Sequence, residues 1–224
     1  MSLFKGWIGE KKTAFRLWLW LDSKDYHRFH NLILPSSNGT SQLDHIIVSK
    51  YGVFIIETKN KSGWIYGSES QAKWTQVIYR NKYSFQNPLR QVYRQKKVLS
   101  QFLGLTESAI HTVVFFIGDC RFKTQMPSNV IDRRLTRYVK RFREPILSRS
   151  EVERIIGELS QHNSESTISG RDHLRSLRER HTSNTVCPKC GSDLIVRTAR
   201  RGPNAGGKFL GCRSYPRCKF TKEL

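Results

Sequence analysis

The sequence predicts an α/β protein with a mixed central sheet flanked by helices, followed by a small C-terminal ribbon. Three observations support this prediction. Residues 43–60 contain two short apolar strand segments around a turn, an amphipathic helical pattern follows Asn87-Pro88, and four of the five cysteines lie in residues 187–218. We therefore divide the chain into a larger domain at 1–160, a basic polar linker at 161–185 and a ribbon at 186–224.

Composition limits the function classes. The 224 residues suffice for one domain and a small module, and 38% hydrophobic with 25% charged residues is typical of a soluble globular chain. The net charge of +21 favours a polyanionic partner, nucleic acid before a membrane. No apolar run reaches the ~18–20 residues of a membrane span, and no cleavage site of a signal peptide follows residues 15–21. We expect a cytoplasmic, nucleoid-associated protein of bacterial type, with no membrane partner.

The first segment is expected to be a helix over 9–22, with Glu10 in its first turn. Glu10 either favours the helix N-terminus by its charge or supports a nearby site. An edge strand is predicted within 26–35, centred on 29–34. Residues 35–41 have the composition of a loop, which we expect to lie beside the site and within reach of a substrate.

The central hairpin combines apolar strands with charges. Residues 46–48 and 53–56 are β-branched or aromatic on both faces, which is typical of a sheet covered on both sides. Asp44, Glu57 and Lys59 lie at its edge. Because a buried charge costs several kcal/mol unless it is paired or binds a metal, the hairpin carries either a structural ion pair or a site.

The turn decides which of these charges meet. A turn centred on Lys50-Tyr51 places Asp44 opposite Glu57, with Cβ atoms about 4.5–5.5 Å apart. A turn at Tyr51-Gly52 places Asp44 opposite Lys59 instead, and a three-residue turn without a bulge turns Asp44 to the other face. Glu57 and Lys59 share a face in every register. Two close carboxylates favour a divalent cation between them.

Residues 63–67 and 74–79 are predicted to form strands or an extended hairpin, and over residues 64–85 aromatic residues are interleaved with cations. Such a surface can stack bases and hold phosphates, although ordinary strand packing is the favoured interpretation. The aromatic residues are Trp64, Tyr66, Trp74, Tyr79, Tyr83 and Phe85, and the cations are Lys73, Arg80 and Lys82.

A helix is predicted from Asn87 as N-cap and Pro88 as first helical residue. Its apolar stripe is expected to consist of Leu89, Val92, Tyr93, Lys96, Leu99 and Phe102, leaving Gln91, Arg94, Gln95 and Lys97 at least partly off the stripe.

Further along, residues 111–118 form an apolar pattern typical of a buried strand, and Cys120 is expected to be a lone buried thiol. Residues 130–142 are expected to form a strand or loop. A helix is predicted over 150–159, capped by Ser150 with Glu153 completing a capping box. The linker at 161–185 is predicted to hold a short helix at 171–180, whose arginines could follow phosphates.

The tail predicts one structural Zn²⁺. Cys187 and Cys190 have the spacing of a tight metal knuckle, and Cys212 with Cys218 closes a four-thiolate site. Cations and aromatic residues around it favour an unpaired DNA strand as ligand, with a protein partner as the alternative. The candidate DNA contacts are Lys189, Arg197, Arg200, Arg201, Lys208, Phe209, Arg213, Tyr215, Arg217 and Lys219.

Two family resemblances follow from these motifs. Gly6-Trp7-Ile8-Gly9-Glu10, Leu43-Asp44-His45-Ile46-Ile47, Glu57-Thr58-Lys59 and Asn87-Pro88-Leu89-Arg90-Gln91 occur in this order. Together they resemble the nuclease-related domain, NERD, of the restriction-endonuclease-like superfamily, whose signature is D…(D/E)xK. The tail, with its Cys-Pro-x-Cys-Gly and Tyr-Pro-x-Cys segments, resembles the C4 zinc finger at the end of bacterial type I topoisomerases.

The first resemblance implies a restriction-endonuclease-like fold and a metal-dependent DNA nuclease or DNA-processing enzyme. Asp44 and Glu57 would hold Mg²⁺ or Mn²⁺, with the Thr58 carbonyl as a further ligand and Glu10 in support. Lys59 and Gln91 would act on the attacking water or the phosphate. The alternative is a non-catalytic DNA-binding or recruitment protein that retains the fold.

Overall fold

The structure is a computed structural model that describes residues 21–37, 39–202 and 204–224, with the backbone alone at His181. Most of the predicted first helix, including Glu10, lies outside the described residues. The described chain forms two compact units. The first unit contains residues up to 32 together with 42–166, and the second contains 33–41 together with 167–224.

The elements of the described residues are as follows. The strands are β1 (His27–Ser36), β2 (Gly39–Ser49), β3 (Gly52–Asn60), β4 (Gly63–Tyr66), β5 (Lys73–Ile78), β6 (Asn81–Gln86), β7 (Ile110–Ile117), β8 (Cys120–Phe122), β9 (Val130–Ile131), β10 (Leu194–Thr198), β11 (Lys208–Cys212) and β12 (Thr221–Glu223). The α-helices are α1 (Pro88–Leu103), α2 (Leu135–Lys140), α3 (Arg149–Glu165) and α4 (Gly170–Thr182). None of these helices combines the length and the apolar character needed to cross a membrane.

The central sheet has the order β1-β2-β3-β7-β9, with β2 antiparallel and β7 parallel to β3. It is a mixed sheet, as predicted, with β1 at its edge. The β2–β3 register pairs His45 with Ile56 and Ser49 with Gly52, so the turn is centred on Lys50-Tyr51. Gly52 takes a φ of +113°, and a Cβ there would lie 2.8 Å from the Ala109 oxygen. A glycine therefore fits this end of the hairpin.

Both faces of the central sheet are covered. Phe54 and Ile56 pack with Val113 and Phe115 against α2, through Leu135 and Val139. Val114 and Phe116 point to the other face and pack with Val92 of α1. This arrangement explains why β2 and β3 are apolar on both sides.

A second sheet has the order β6-β5-β4-β8 and belongs to the first unit. Strands β4 and β8 pair in parallel and follow β3 and β7 in the chain. Trp74 is fully buried and packs on Phe116 and Phe85, so strand packing is the correct interpretation for this part of the aromatic pattern. Trp64 and Tyr83 are instead about half exposed.

Two local predictions are wrong. The loop predicted at 35–41 is too long, because β1 continues to Ser36 and β2 begins at Gly39, whose φ of +109° suits a tight turn. The capping box of α3 consists of Ser148 and Glu151 rather than Ser150 and Glu153. Both pairs have the Ser-x-x-Glu spacing, but Ser148 has the extended backbone of an N-cap and makes both capping-box hydrogen bonds with Glu151.

In the second unit, α4 contacts the turn between β1 and β2 and also the ribbon. Helix α4 is a little longer than the predicted 171–180 and begins with a capping box of Ser169 and Asp172. Ser176 Oγ accepts from the Thr40 backbone N–H at 2.8 Å. At the other end, Lys222 Nζ donates to the Thr182 oxygen at 3.1 Å and the Ser183 oxygen at 3.2 Å. The ribbon itself is the antiparallel sheet β10-β11-β12.

Candidate functional site

The hairpin charges lie on the face of the central sheet that α1 covers. Glu57 pairs in register with Val114, whose side chain belongs to the α1 face. Because side chains alternate along a strand, Lys59 lies on that same face. Extending the β2–β3 register by one residue places Asp44 opposite Glu57, the first of the alternatives that the sequence left open.

Short hydrogen bonds connect these side chains to each other and to α1. Lys59 Nζ lies 2.5 Å from Glu57 Oε1 and donates to Gln91 Oε1 at 2.9 Å. The other carboxylate oxygen of Glu57 accepts from Gln95 Nε2 at 2.7 Å. Asp44 Oδ2 accepts from the Thr58 backbone N–H at 2.8 Å. Hydrogen bonds therefore join Glu57, Lys59, Gln91 and Gln95 directly, while Asp44 lies opposite Glu57 and is held by the Thr58 N–H; we refer to these five side chains as the network.

The network is largely withdrawn from water. Glu57 is 2% and Asp44 8% exposed, whereas the Lys59 side chain retains 21% exposure. Burial, and then the neighbouring Lys59 ammonium, lowers the pKa of Lys61. Burying two carboxylates is costly unless they are paired or hydrogen-bonded. The lysine and the amide groups supply this compensation.

Gln95 was missed by sequence reasoning. It is 1% exposed, and its Nε2 donates both to Glu57 Oε2 and to the Gln42 backbone oxygen at 2.9 Å. Placing Gln95 and Arg94 off the buried stripe was wrong, because both are buried against the sheet. The available signal was the spacing of Gln91 and Gln95, which puts two amides on one helical face.

His45, inside the Asp44 motif, belongs to the opposite face. It pairs with Ile56, and its Nδ1 lies 2.8 Å from His30 Nδ1. Burial, followed by the effect of His30, lowers the pKa of His45 to about 3, so the ring is neutral near pH 7. His45 is therefore part of the packing behind the site rather than of the site.

The donor set of the hairpin fits a hard divalent cation. Mg²⁺ is commonly held by one or two carboxylates together with water and substrate phosphates. Asp44 and Glu57 supply two carboxylates on the neighbouring interior strands β2 and β3. Gln95 Oε1 is a buried acceptor without a hydrogen-bond partner among the described residues, which suits an ordered water at this place. Glu10, a further candidate acid, lies outside the described residues.

The four tail cysteines converge as a zinc site requires. Their sulfur atoms all lie within 4.8 Å of one another, with Cys187 to Cys218 at 3.8 Å and Cys190 to Cys212 at 3.4 Å. Tetrahedral Zn–S bonds of about 2.3 Å require S–S separations of about 3.8 Å. The four thiolates therefore fit one structural Zn²⁺. Cys120 lies apart, buried in the first unit, where burial raises the pKa of its thiol to about 11.

The ribbon surface bears a depression of about 660 Å³ beside the cysteines. It is lined by both aromatic and cationic side chains, and Tyr215 is 60% exposed. Arg197 is only partly available, because its guanidinium donates to the Cys212 oxygen and lies 5.7 Å from the Tyr215 ring. The lining includes Phe209, Tyr215, Phe220, Arg197, Arg200 and Lys219.

The fold and the two sites define an α/β protein with a buried carboxylate–lysine network and a tetracysteine ribbon. The family described as nuclease-related domain matches residues 5–117, half of the chain, and the protein belongs to this family. The family described as topoisomerase DNA binding C4 zinc finger matches residues 184–224, the segment that contains the four converging cysteines. Both resemblances stated from the sequence are confirmed.

Curated relatives match parts of the chain. An uncharacterised protein of Bacillus anthracis is 48% identical over 97 residues, covering 43% of this chain and 45% of that protein. The uncharacterised protein YrdD of Escherichia coli is 43% identical over 42 residues, 19% of this chain and 21% of its own. DNA topoisomerase 1 of Archaeoglobus fulgidus is 47% identical over 60 residues, 25% of this chain and 8% of its own. The matches span less than half of each relative, and no solved structure matches.

Proposed function

We propose that this protein is a Mg²⁺- or Mn²⁺-dependent nuclease that hydrolyses phosphodiester bonds in DNA. The observation that carries the proposal is the network at the end of the hairpin. Asp44 is held by the Thr58 N–H, and Glu57 is held between Lys59 and Gln95. Such fixed, buried carboxylates are the positions at which a nuclease-related domain would bind its cation.

The residues of the network would divide the work. Asp44 and Glu57 would hold the cation, with the Thr58 carbonyl as a further ligand. When bound, the cation would polarise the scissile phosphate and lower the pKa of the attacking water. Lys59 would offset the negative charge that develops on the phosphate oxygens. Gln91, whose oxygen accepts from Lys59, would present its amide donors to the water or to a phosphate oxygen.

The ribbon would supply affinity for DNA while the first unit cuts it. Its depression combines aromatic rings with cations, an arrangement that suits unpaired bases and their phosphates. Single-stranded or locally unwound DNA is therefore the preferred substrate in this proposal.

A non-catalytic DNA-binding protein is the second candidate. The contact of 2.5 Å between Lys59 Nζ and Glu57 Oε1 favours it, because this ion pair can neutralise the carboxylate without a bound metal ion. In that case Asp44, Glu57 and Lys59 would stabilise the fold and the ribbon would perform the function.

A nuclease assay distinguishes the two. Wild-type protein should cut supercoiled, linear or single-stranded DNA only when Mg²⁺ or Mn²⁺ is present. Asp44→Asn and Glu57→Gln preparations should be inactive, which also excludes a contaminating nuclease. Glu69→Gln, at an exposed acid of the same unit, is the matched control and should retain activity. Absence of cleavage on all three substrates with both cations would favour the binding protein.

A further inference from the structure

The outer face of the second sheet is a cationic surface of the first unit that the proposed site does not use. We define this outer face by Trp64 and Tyr66 of β4, Lys73, Thr75 and Val77 of β5, Lys82 and Ser84 of β6, and Arg121 of β8. We propose that it binds an unpaired DNA strand, with Trp64 stacking a base and the surrounding cations contacting phosphates.

Register places these side chains together. Trp64 pairs with Val77 on one side and with Arg121 on the other, and Val77 pairs with Lys82. Because paired residues share a face, Lys82, Trp64 and Arg121 lie in one row across the sheet. Tyr66 and Ser84 lie in the next row, each paired with Thr75. The inner face, by contrast, contains the buried Ile65 and Trp74.

Exposure and charge identify the ligand class. Trp64 is 47% exposed, and Lys82 and Arg121 are exposed. Strands β4, β5, β6 and β8 contain no aspartate or glutamate. Lys123, which follows β8, places its Nζ 4.6 Å from the centroid of the Trp64 ring. A large exposed aromatic ring within a purely cationic surface is complementary to a nucleotide, which offers both a base and a phosphate.

Stacking a base on Trp64 would replace its contact with Lys123. Base–aromatic stacking is worth more than a cation–π contact at an exposed position, so the exchange is favourable. The released ammonium would then be available for the phosphate of the same nucleotide. A protein partner is the less favoured alternative, because the outer face as defined carries three cations and only one aliphatic side chain, Val77.

The outer face also continues from the proposed site along the chain. Strand β3 carries Glu57 and Lys59 and ends at Asn60, and β4 begins at Gly63. The first strand of the outer face therefore follows the strand that carries Glu57 and Lys59 after a connection of two residues. The inference rests on the proposed function only for DNA as the ligand and does not require cleavage.

Binding of oligothymidine to the full-length zinc-loaded protein tests the inference. Tyr215→Ala and Lys219→Ala are introduced throughout to weaken the contribution of the ribbon. In this background Trp64→Ala should weaken binding about 5- to 150-fold, the value of one stacked base, while Trp64→Phe should restore most of it. A duplex of the same length should show much less dependence on Trp64, since its bases are already stacked.

The cations give a second readout that does not depend on replacing a half-buried ring. Lys82→Ala with Arg121→Ala should reduce the salt slope of oligothymidine binding by about 1.4, since each single-strand phosphate contact contributes about 0.7. Lys140→Ala with Arg149→Ala, at exposed cations of α2 and α3, is the matched control and should leave the slope unchanged. Circular dichroism and melting confirm that all variants are folded.

Unchanged affinity in Trp64→Ala together with an unchanged salt slope in the cation variant would overturn the inference. An equal loss for duplex and oligothymidine in Trp64→Ala would overturn the stacking role. If the protein proves to be without nuclease activity, the losses expected here would still support the outer face as a binding surface, so the two proposals fail separately.

Discussion

Gln95 Nε2 lies 2.7 Å from Glu57 Oε2 and 2.9 Å from the backbone oxygen of Gln42. One buried amide of α1 thus fixes the carboxylate on β3 and contacts β2, the strand that carries Asp44. Gln95 therefore bridges the two strands that carry the candidate metal ligands. We expect Gln95 to be a positioning residue that acts through Glu57.

Gln95→Leu tests this role. Loss of the amide leaves a buried carboxylate oxygen without its donor, which should lower the free energy of unfolding by about 1–3 kcal/mol. Affinity for Mn²⁺ should fall roughly 10- to 100-fold, as is usual when a group that orients a metal ligand is removed. Urea unfolding and Mn²⁺ titration measure the two effects. Gln101→Leu, at an exposed glutamine of the same helix, should change neither; equal behaviour of the two variants would contradict the role.

Replacing the carboxylates separates a metal site from an ion pair. In a metal site, Asp44→Ala and Glu57→Ala should abolish cleavage and remove the stabilisation by Mn²⁺, while stability without added cation stays level or rises, since repulsion between the two acids is relieved. In a purely structural pair, removing Glu57 should cost about 3–5 kcal/mol. The 21% exposure of the Lys59 side chain gives its ammonium access to water. We therefore expect removal of Glu57 to cost less than about 3–5 kcal/mol of unfolding free energy.

Lys59→Ala completes this series. Turnover should be lost while stabilisation by Mn²⁺ persists, because an ammonium is not a ligand of a hard cation. Thermal unfolding with and without Mn²⁺, run beside the nuclease assay, compares all three variants. Wild-type protein that gains no stability from Mn²⁺ or Mg²⁺, with carboxylate variants that melt far lower, would show that the network is structural.

The position of the α3 cap is tested by two neighbouring serines. Ser148→Ala should destabilise the protein by about 0.5–2 kcal/mol, because it removes the acceptor for the Glu151 N–H and its partner in the capping box. Ser150→Ala lies inside the helix and should have little effect or a slightly stabilising one. Urea unfolding of both variants decides the question, and a greater loss at Ser150 would restore the pair first expected from the sequence.

The sequence predicted the hairpin and its charges because their signals are local. Alternating positions along β3 fix Glu57 and Lys59 on one face whatever the tertiary structure, and the tight turn left few registers for Asp44. Gln95 was not predictable in the same way. Its polar side chain can be buried because it hydrogen-bonds the Glu57 carboxylate on β3, and that partner is distant in sequence.

The same distinction holds elsewhere in the chain. Two overlapping Ser-x-x-Glu motifs lie at the start of α3, and their spacing alone does not select between them. On the second sheet, strand packing is confirmed for Trp74, which is core, whereas Trp64 is about half exposed and its role stays a prediction. Trp74 is buried because it lies on the side of the sheet that α1 and β7 cover. Alternation in the sequence separates the two sides of a sheet but does not show which side is covered.

The zinc site leads to a direct measurement. Purified protein expressed with sufficient metal should contain roughly one equivalent of Zn²⁺, and a chelator should unfold the ribbon, because metal binding and folding are coupled in so small a module. Elemental analysis measures the content. Cys212→Ser should lower it, whereas Cys120→Ser should not, since Cys120 lies in the first unit. Less than about half an equivalent in the wild type would contradict the assignment.

The exposed cations of the ribbon should determine how its DNA binding responds to salt. Arg200, Lys208 and Lys219 are exposed near the depression, and each phosphate contact they make to a single strand contributes about 0.7 to the salt slope. Replacing all three with alanine should therefore flatten the slope by about 2 and weaken binding at low salt. Affinity should fall similarly for different sequences, because phosphates are common to all of them.

Lys222 provides the matched control for these cations. It is a lysine of the same ribbon, but its ammonium is occupied by the Thr182 and Ser183 oxygens and by Asn184 Oδ1 at 2.6 Å. Lys222→Met removes the same formal charge without removing an available phosphate contact. We expect it to lower the melting temperature of the second unit and to leave the salt slope close to the wild-type value. If Lys222→Met flattens the slope as much per charge as the triple variant does, the ribbon attracts DNA through its net charge alone, and the proposed contact residues have no special role.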